Sequence, residues 1–196
     1  NTTASPPGGN HVLLNNNISI RGELKPTAGL LNLGSNDISM RSTNAATSQV
    51  SSLGVTAGFA YGTGRFRVER FIQTPRKWQF LSVPTNTTQT VNQAWQEGQV
   101  PGTMVDVGGY GTQISTLYAS PTTLGFDFTS SVGHGMKAWN VATQNYLPQP
   151  NTSSAISSSR GYMLFVRGNR AQTGLAGSST TALRTRGQLF TGNQGP

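Results

Sequence analysis

The chain has 196 residues, enough for one large or two small domains, of which only 10% are charged and 34% hydrophobic. Lys and Arg number 14 against 6 acids, a net charge of +8, so the surface either draws polyanions or uses its scattered arginines only for solubility. The absence of cysteine excludes disulfides and thiolate metal sites, and no apolar run approaches the roughly 18 residues of a membrane-spanning helix.

In chain order, residues 1–10 (N-T-T-A-S-P-P-G-G-N) read as an extended leader, because Pro6 and Pro7 exclude a helix. Thr2, Thr3, Ala4 and Ser5 are candidates for a strand donated to another subunit; a mobile terminus is the plain alternative. Residues 11–62 hold an internal repeat. Asn16-Asn17-Ile18-Ser19-Ile20-Arg21 recurs 20 residues later as Asn36-Asp37-Ile38-Ser39-Met40-Arg41. Apolar residues alternate within each copy, the period of a strand. A repeat of this length with polar corners predicts a β-solenoid in which Ile18/Ile20 and Ile38/Met40 stack inward and Gly34 forms a corner. A plain β-meander is the alternative. Two circuits are too few to stand alone, so their open faces must be covered by the rest of the chain or by another molecule.

Arg65–Pro84 holds four large side chains, Phe66, Phe71, Trp78 and Phe80, which are expected to seed the core. Residues 65–72 form a strand whose alternation slips at Arg70-Phe71, predicting a bulge or a bend. Thr74-Pro75 marks a turn. Residues 77–83 are apolar on both faces and read as a central, covered strand. Thr90 to Gly98 is the one helix, with a Thr90/Gln93 capping box, Gly98 as its stop and Val91, Ala94 and Trp95 on its buried face. Further strands are expected at Gln113–Tyr118, Leu124–Phe128, Gly161–Gly168 and Ala182–Phe190; Met136–Val141 carries Trp139 in a segment closed by Tyr146-Leu147-Pro148, and 151–159 is a polar loop. The predicted fold is all-β: a short right-handed β-solenoid-like segment (11–62), a jelly-roll-like β-sandwich with one short helix (63–192), and a tail (193–196).

Catalytic chemistry finds little support. His11 and His134 are the two histidines, and Asp127 near His134 has no marked nucleophile. No carboxylate pair is set out for sugar hydrolysis. No cofactor or metal motif is present, and a lone loop Ca²⁺ near Asp106 or Asp127 is the most that could be entertained. Nucleic-acid binding would need a basic stripe interleaved with aromatics, and Arg65, Phe66, Arg67 and Arg70 read better as a strand. Trp139, Tyr110, Tyr118 and Tyr146 lie in or near loops and are candidates for stacking on sugar rings.

The runs G-R-F-R-V-E-R-F-I, R-K-W-Q-F-L-S-V-P, V-N-Q-A-W-Q-E-G, G-F-D-F, R-G-Y-M-L-F-V-R-G-N-R and L-R-T-R-G-Q-L-F-T-G follow one another along the chain. Together they resemble a module of large Bacteroidota surface proteins exported by the type IX secretion system. The stretch T-A-G-L-L-N-L-G-S-N-D-I-S-M is similar to the β-solenoid repeats of such proteins. The resemblance spans about residues 12–192. It implies an extracellular, non-catalytic protein with a structural or adhesive role. It carries no catalytic residues over. Such proteins continue into further β-domains and a sorting domain, so this chain is expected to be a fragment or a processed form. Self-association into a filament, contact with neighbouring domains and binding of surface polysaccharide are the expected partnerships; nucleic acid and membrane insertion are not. A carbohydrate-binding module of a larger secreted adhesin or enzyme is the alternative reading.

Overall fold

The computed structural model describes residues 11–73, 76–129, 133–172 and 179–191, with the backbone alone at 128–129. The chain is mostly β, with several sheets and one short helix. The candidate donor strand Thr2–Ser5, the Thr74-Pro75 turn and the tail at 193–196 lie outside the described residues.

Eight short strands come first: β1 (His11–Leu13), β2 (Ile18–Ile20), β3 (Glu23–Leu24), β4 (Ala28–Asn32), β5 (Ile38–Met40), β6 (Gln49–Val50), β7 (Thr56–Ala60) and β8 (Phe66–Ile72). They pair in parallel, each with a strand three places away in chain order. β1, β4 and β7 make one ladder, with His11 opposite Leu30 and Leu30 opposite Gly58. β2, β5 and β8 make a second, in which Ile18, Ile38 and Phe66 share a column and Ile20, Met40 and Val68 share the next. β3 and β6 make a third. The repeat predicts the Ile18–Ile38 and Ile20–Met40 stacking. It does not reveal that Phe66-Arg67-Val68 adds a third parallel strand in the same columns.

The corners explain the Asn and Asp of the repeat. Asn17 Oδ1 accepts the Asp37 N–H at 2.7 Å, and Asp37 Oδ1 accepts the Arg65 N–H at 2.9 Å. Each side chain thus satisfies a backbone donor just ahead of the next parallel strand. Close stacking also demands glycine here, since a Cβ on Gly64 would collide with the Asn36 carbonyl. Leu33, Ile38, Met40 and Phe66 form one buried core, with Leu24, Leu31, Val50, Phe59 and Tyr61 packed against it.

The remaining elements are β9 (Lys77–Leu81), β10 (Thr85–Asn86), α1 (Val91–Trp95), β11 (Ser115–Thr116), β12 (Phe128–Thr129), β13 (Met136–Asn140), β14 (Asn145–Pro148), β15 (Tyr162–Val166) and β16 (Thr181–Leu189). β16 pairs antiparallel with β8, so one five-stranded sheet runs β10-β16-β8-β5-β2. β8 is therefore shared: parallel partner of β5 on one edge, antiparallel partner of β16 on the other. Leu189 of β16 packs against the same core as Phe66 while donating its N–H to the Tyr61 hydroxyl at 3.2 Å.

The expected bulge at Arg70-Phe71 is absent. The β8–β16 register runs unbroken from Phe66 opposite Gly187 to Ile72 opposite Thr181. What changes along β8 is the cover: Phe66 and Val68 pack in the first core, whereas Ile72 belongs to a second core. That core gathers Val91, Ala94 and Trp95 of α1, Leu183 of β16, Met136 and Ala138 of β13, and Tyr162, Leu164 and Val166 of β15. The α1 capping box is present, with Thr90 Oγ1 accepting the Gln93 N–H at 3.1 Å and Gln93 Oε1 accepting the Thr90 N–H at 3.0 Å. The strand expected at Gln113–Tyr118 shrinks to Ser115–Thr116, and Leu124-Gly125 lies in a turn rather than a strand. Gly125, at φ 84°, sits so close to Thr152 that no side chain would fit.

A four-stranded antiparallel sheet, β14-β13-β15-β9, lies beyond. Its edge strand explains why the third ladder stops at two strands. The step of 28 that carries Ala28 to Thr56 and Ile38 to Phe66 would carry Gln49 to Lys77. Lys77 instead opens β9, which pairs with β15. The vacated position is a groove of about 490 Å³ walled by Met40, Val50, Val68 and Leu189.

Candidate functional site

The site is the outer face of the four-stranded sheet. β15 fixes its pattern by strict alternation: Tyr162, Leu164 and Val166 are buried inward, and Met163 and Phe165 face out, half-buried. Residues opposite one another in an antiparallel ladder share a face. Phe80 lies opposite Met163 and Trp78 opposite Phe165. On the other side Lys137 lies opposite Met163, and Trp139 opposite Tyr146. Phe80 is 70% exposed and Trp78 40% exposed.

This corrects the sequence reading of residues 77–83. The strand is an edge, not a covered centre, and two of the four side chains expected to seed the core stand in solvent. Phe66 alone of the four is fully buried.

The rings form two contacting groups. Trp78 meets Phe165 edge to face at 5.6 Å between centroids. Tyr146 bridges Trp139, at 5.0 Å, and Phe80, at 5.9 Å. Edge-to-face pairs of this kind hold rings in fixed orientation, and a cluster of exposed rings on a folded surface marks a contact site.

Cations gather at the Trp78 end. The Lys137 ammonium lies 5.5 Å from the Trp78 ring centre and the Arg167 guanidinium 5.2 Å from that of Phe165. Arg76 precedes β9 and donates its N–H to the Val166 carbonyl, which places it beside Arg167. Arg167 is 5% exposed, and its side chain donates to Ser115 Oγ at 3.0 Å. Burial, followed by the Arg76 charge, pulls the Arg167 guanidinium below its ordinary value.

The other residues singled out by sequence lie apart from this face. Tyr110 sits beneath the Arg184 guanidinium at 3.8 Å, and Arg184 is itself held by Glu97. Tyr118 packs between His134, at 4.6 Å, and Phe126, at 6.4 Å. His134 Nδ1 lies 3.0 Å from Thr116 Oγ1. Asp127 is fully buried and its two oxygens meet Arg170 at 2.7 and 2.8 Å, which sets a guanidinium where a Ca²⁺ would need to be. Asp106 accepts the Gly109 N–H at 3.0 Å.

Of the residues that sequence reasoning singled out for sugar stacking, Trp139 and Tyr146 lie on this face; Trp78, Phe80, Phe165, Arg76, Lys137 and Arg167 lie there too and were not among those candidates. The signal was available in K-W-Q-F-L, where Trp78 and Phe80 alternate, and in Y-M-L-F-V-R, where Met163 and Phe165 alternate, with a base at one end of each run. Comparison with known protein families, curated proteins and solved structures finds no match.

Proposed function

We propose that this is a non-catalytic adhesive module of the bacterial cell surface, in which a short β-solenoid carries a β-sandwich-like unit whose outer sheet face binds saccharide. The observation that carries the reading is the exposure of Trp78 and Phe80 beside Trp139 and Tyr146 on one rigid sheet face. Pyranose rings present flat C–H faces that stack on such side chains, and a sheet holds the rings without an ordering cost at the moment of binding. The parallel stacking of Ile18, Ile38 and Phe66 supports the solenoid. Export by the type IX route is part of the same proposal and rests on the sequence resemblance. The test is affinity electrophoresis through a panel of polysaccharide gels. Retardation by at least one polysaccharide, lost in Trp78→Ala and Phe80→Ala, is expected; retention by none refutes the reading.

A second reading has its own observation. β1 and β2 each have one neighbour among the described residues, and Val12 and Leu13 are 61% and 57% exposed at that end of the stack. An open strand edge of this kind favours addition of a strand from another copy. Filaments in negative stain that vanish in Val12→Lys would establish it.

A further inference from the structure

The acids of the chain are all committed elsewhere. Asp37 pairs with Arg186 and Arg67, Glu69 with Arg41, Glu97 with Arg184 and Asp127 with Arg170. Asp106 holds the Gly109 N–H and Glu23 the Ser51 hydroxyl. With 6 acids in the sequence, no side-chain carboxylate remains for Arg76, Lys137 or Arg167. Yet Arg167 is only 5% exposed, and its Nε, like Nη1 of Arg76, is buried without a hydrogen-bond acceptor. A guanidinium does not shed its charge to escape such a place. A buried guanidinium beside a second, half-buried one, with no counter-ion between them, is costly to a fold unless an anion from outside completes them.

The layout says what kind of anion. The bases stand at one end of the aromatic face, around Trp78 and Phe165, while the Phe80–Tyr146–Trp139 group has no Lys or Arg among its ring contacts. A nucleic acid strand would need bases spaced along the whole face to track successive phosphates. One charged group followed by uncharged rings is the pattern of an acidic sugar within a polysaccharide. We infer that the Trp78 end of this face binds the carboxylate or sulfate of an acidic polysaccharide, with Arg76 and Lys137 as its contacts and Arg167 as the buried charge behind them. The inference rests on the saccharide reading above and adds the ligand class to it.

Affinity electrophoresis in gels of dextran, dextran sulfate and alginate tests it, with poly(dT) as a competitor. Retention by dextran sulfate or alginate is expected to exceed that by dextran about tenfold. Alginate supplies carboxylate alone and dextran sulfate supplies sulfate on the neutral backbone, so the pair identifies the oxyanion. Arg76→Gln and Lys137→Gln should each weaken acidic retention several-fold and leave any dextran retention unchanged, with melting curves like those of the wild type. Trp78→Ala should weaken both. Equal retention by dextran and the acidic gels, untouched by Arg76→Gln, overturns the inference but leaves the saccharide reading standing. Loss in Arg21→Gln equal to that in Arg76→Gln overturns it as bulk charge. Displacement by poly(dT) at matched charge overturns it in favour of nucleic acid. Retention by no polysaccharide removes both.

Discussion

Arg186 of β16 grips Asp37 at the corner before β5, with Nε 2.7 Å from Oδ2 and Nη2 2.8 Å from Oδ1, across 149 residues of sequence. Asp37 also caps the Arg65 N–H, so one carboxylate joins the corners before β5 and β8 to β16. Arg186 is 40% exposed at its side chain, which tempers the energy. Asp37→Asn should cost about 1–2 kcal/mol in urea unfolding.

The pH dependence of that pair has a definite sign. Burial alone would raise the Asp37 carboxyl, but the Arg186 and Arg65 hydrogen bonds and the neighbouring guanidinium charges hold it below its ordinary 3.8. A carboxyl lowered by folding stabilises above its unfolded value and loses that contribution as pH falls through its folded value. The gap in melting temperature between wild type and Asp37→Asn should be level near neutrality and close below 3.8. Glu97 runs the other way. Burial outweighs the Arg184 bonds and pushes it above its ordinary 4.5, so its ionised form is a liability. Wild type should gain on Glu97→Gln as pH falls from neutrality through that raised value.

Asp127 and Arg170 form the most deeply buried ion pair among the described residues, both side chains at 0% exposure. Asp127 also accepts from Gln96 Nε2 at 2.8 Å, the Ile114 N–H at 2.8 Å and the Gly102 N–H at 3.1 Å. Breaking the pair strands the guanidinium. Asp127→Asn should cost about 3–5 kcal/mol, measured as a shift in the urea midpoint at constant slope.

Phe66 belongs to β8 and is wholly buried, 4.9 Å from Phe59. Phe66→Ala should cost about 3–5 kcal/mol. Because β8 is also the partner of β16, the loss should appear as one lowered transition in both tryptophan fluorescence and far-UV circular dichroism. Two separated transitions would show that the parallel ladders unfold on their own.

Much of the first third was legible because its information is local and periodic. Ile18/Ile20 and Ile38/Met40 share both spacing and flanking Asn or Asp, and the same residues set the register. The third parallel strand escaped because Phe66-Arg67-Val68 keeps the alternation but not the Asn, its corner being made by Gly64 and the Arg65 N–H. The α1 cap was readable because its Thr90 and Gln93 lie within one turn of each other. The aromatic face was not readable, because an apolar strand looks the same whether both sides are covered or one is bare; only the pairing order shows β9 to be an edge. Nor could the bases at Trp78 be recognised as unpaired. That depends on where every acid in the chain ends up, a property of the whole fold.

The sharing of β8 has a mechanical consequence. A pull along the stack from Ile18 enters a single continuous sheet and reaches β10 through Phe66 and Gly187 without crossing a hinge. This sheet should act as a stiff strut between β2 and β10, with little extension of its own.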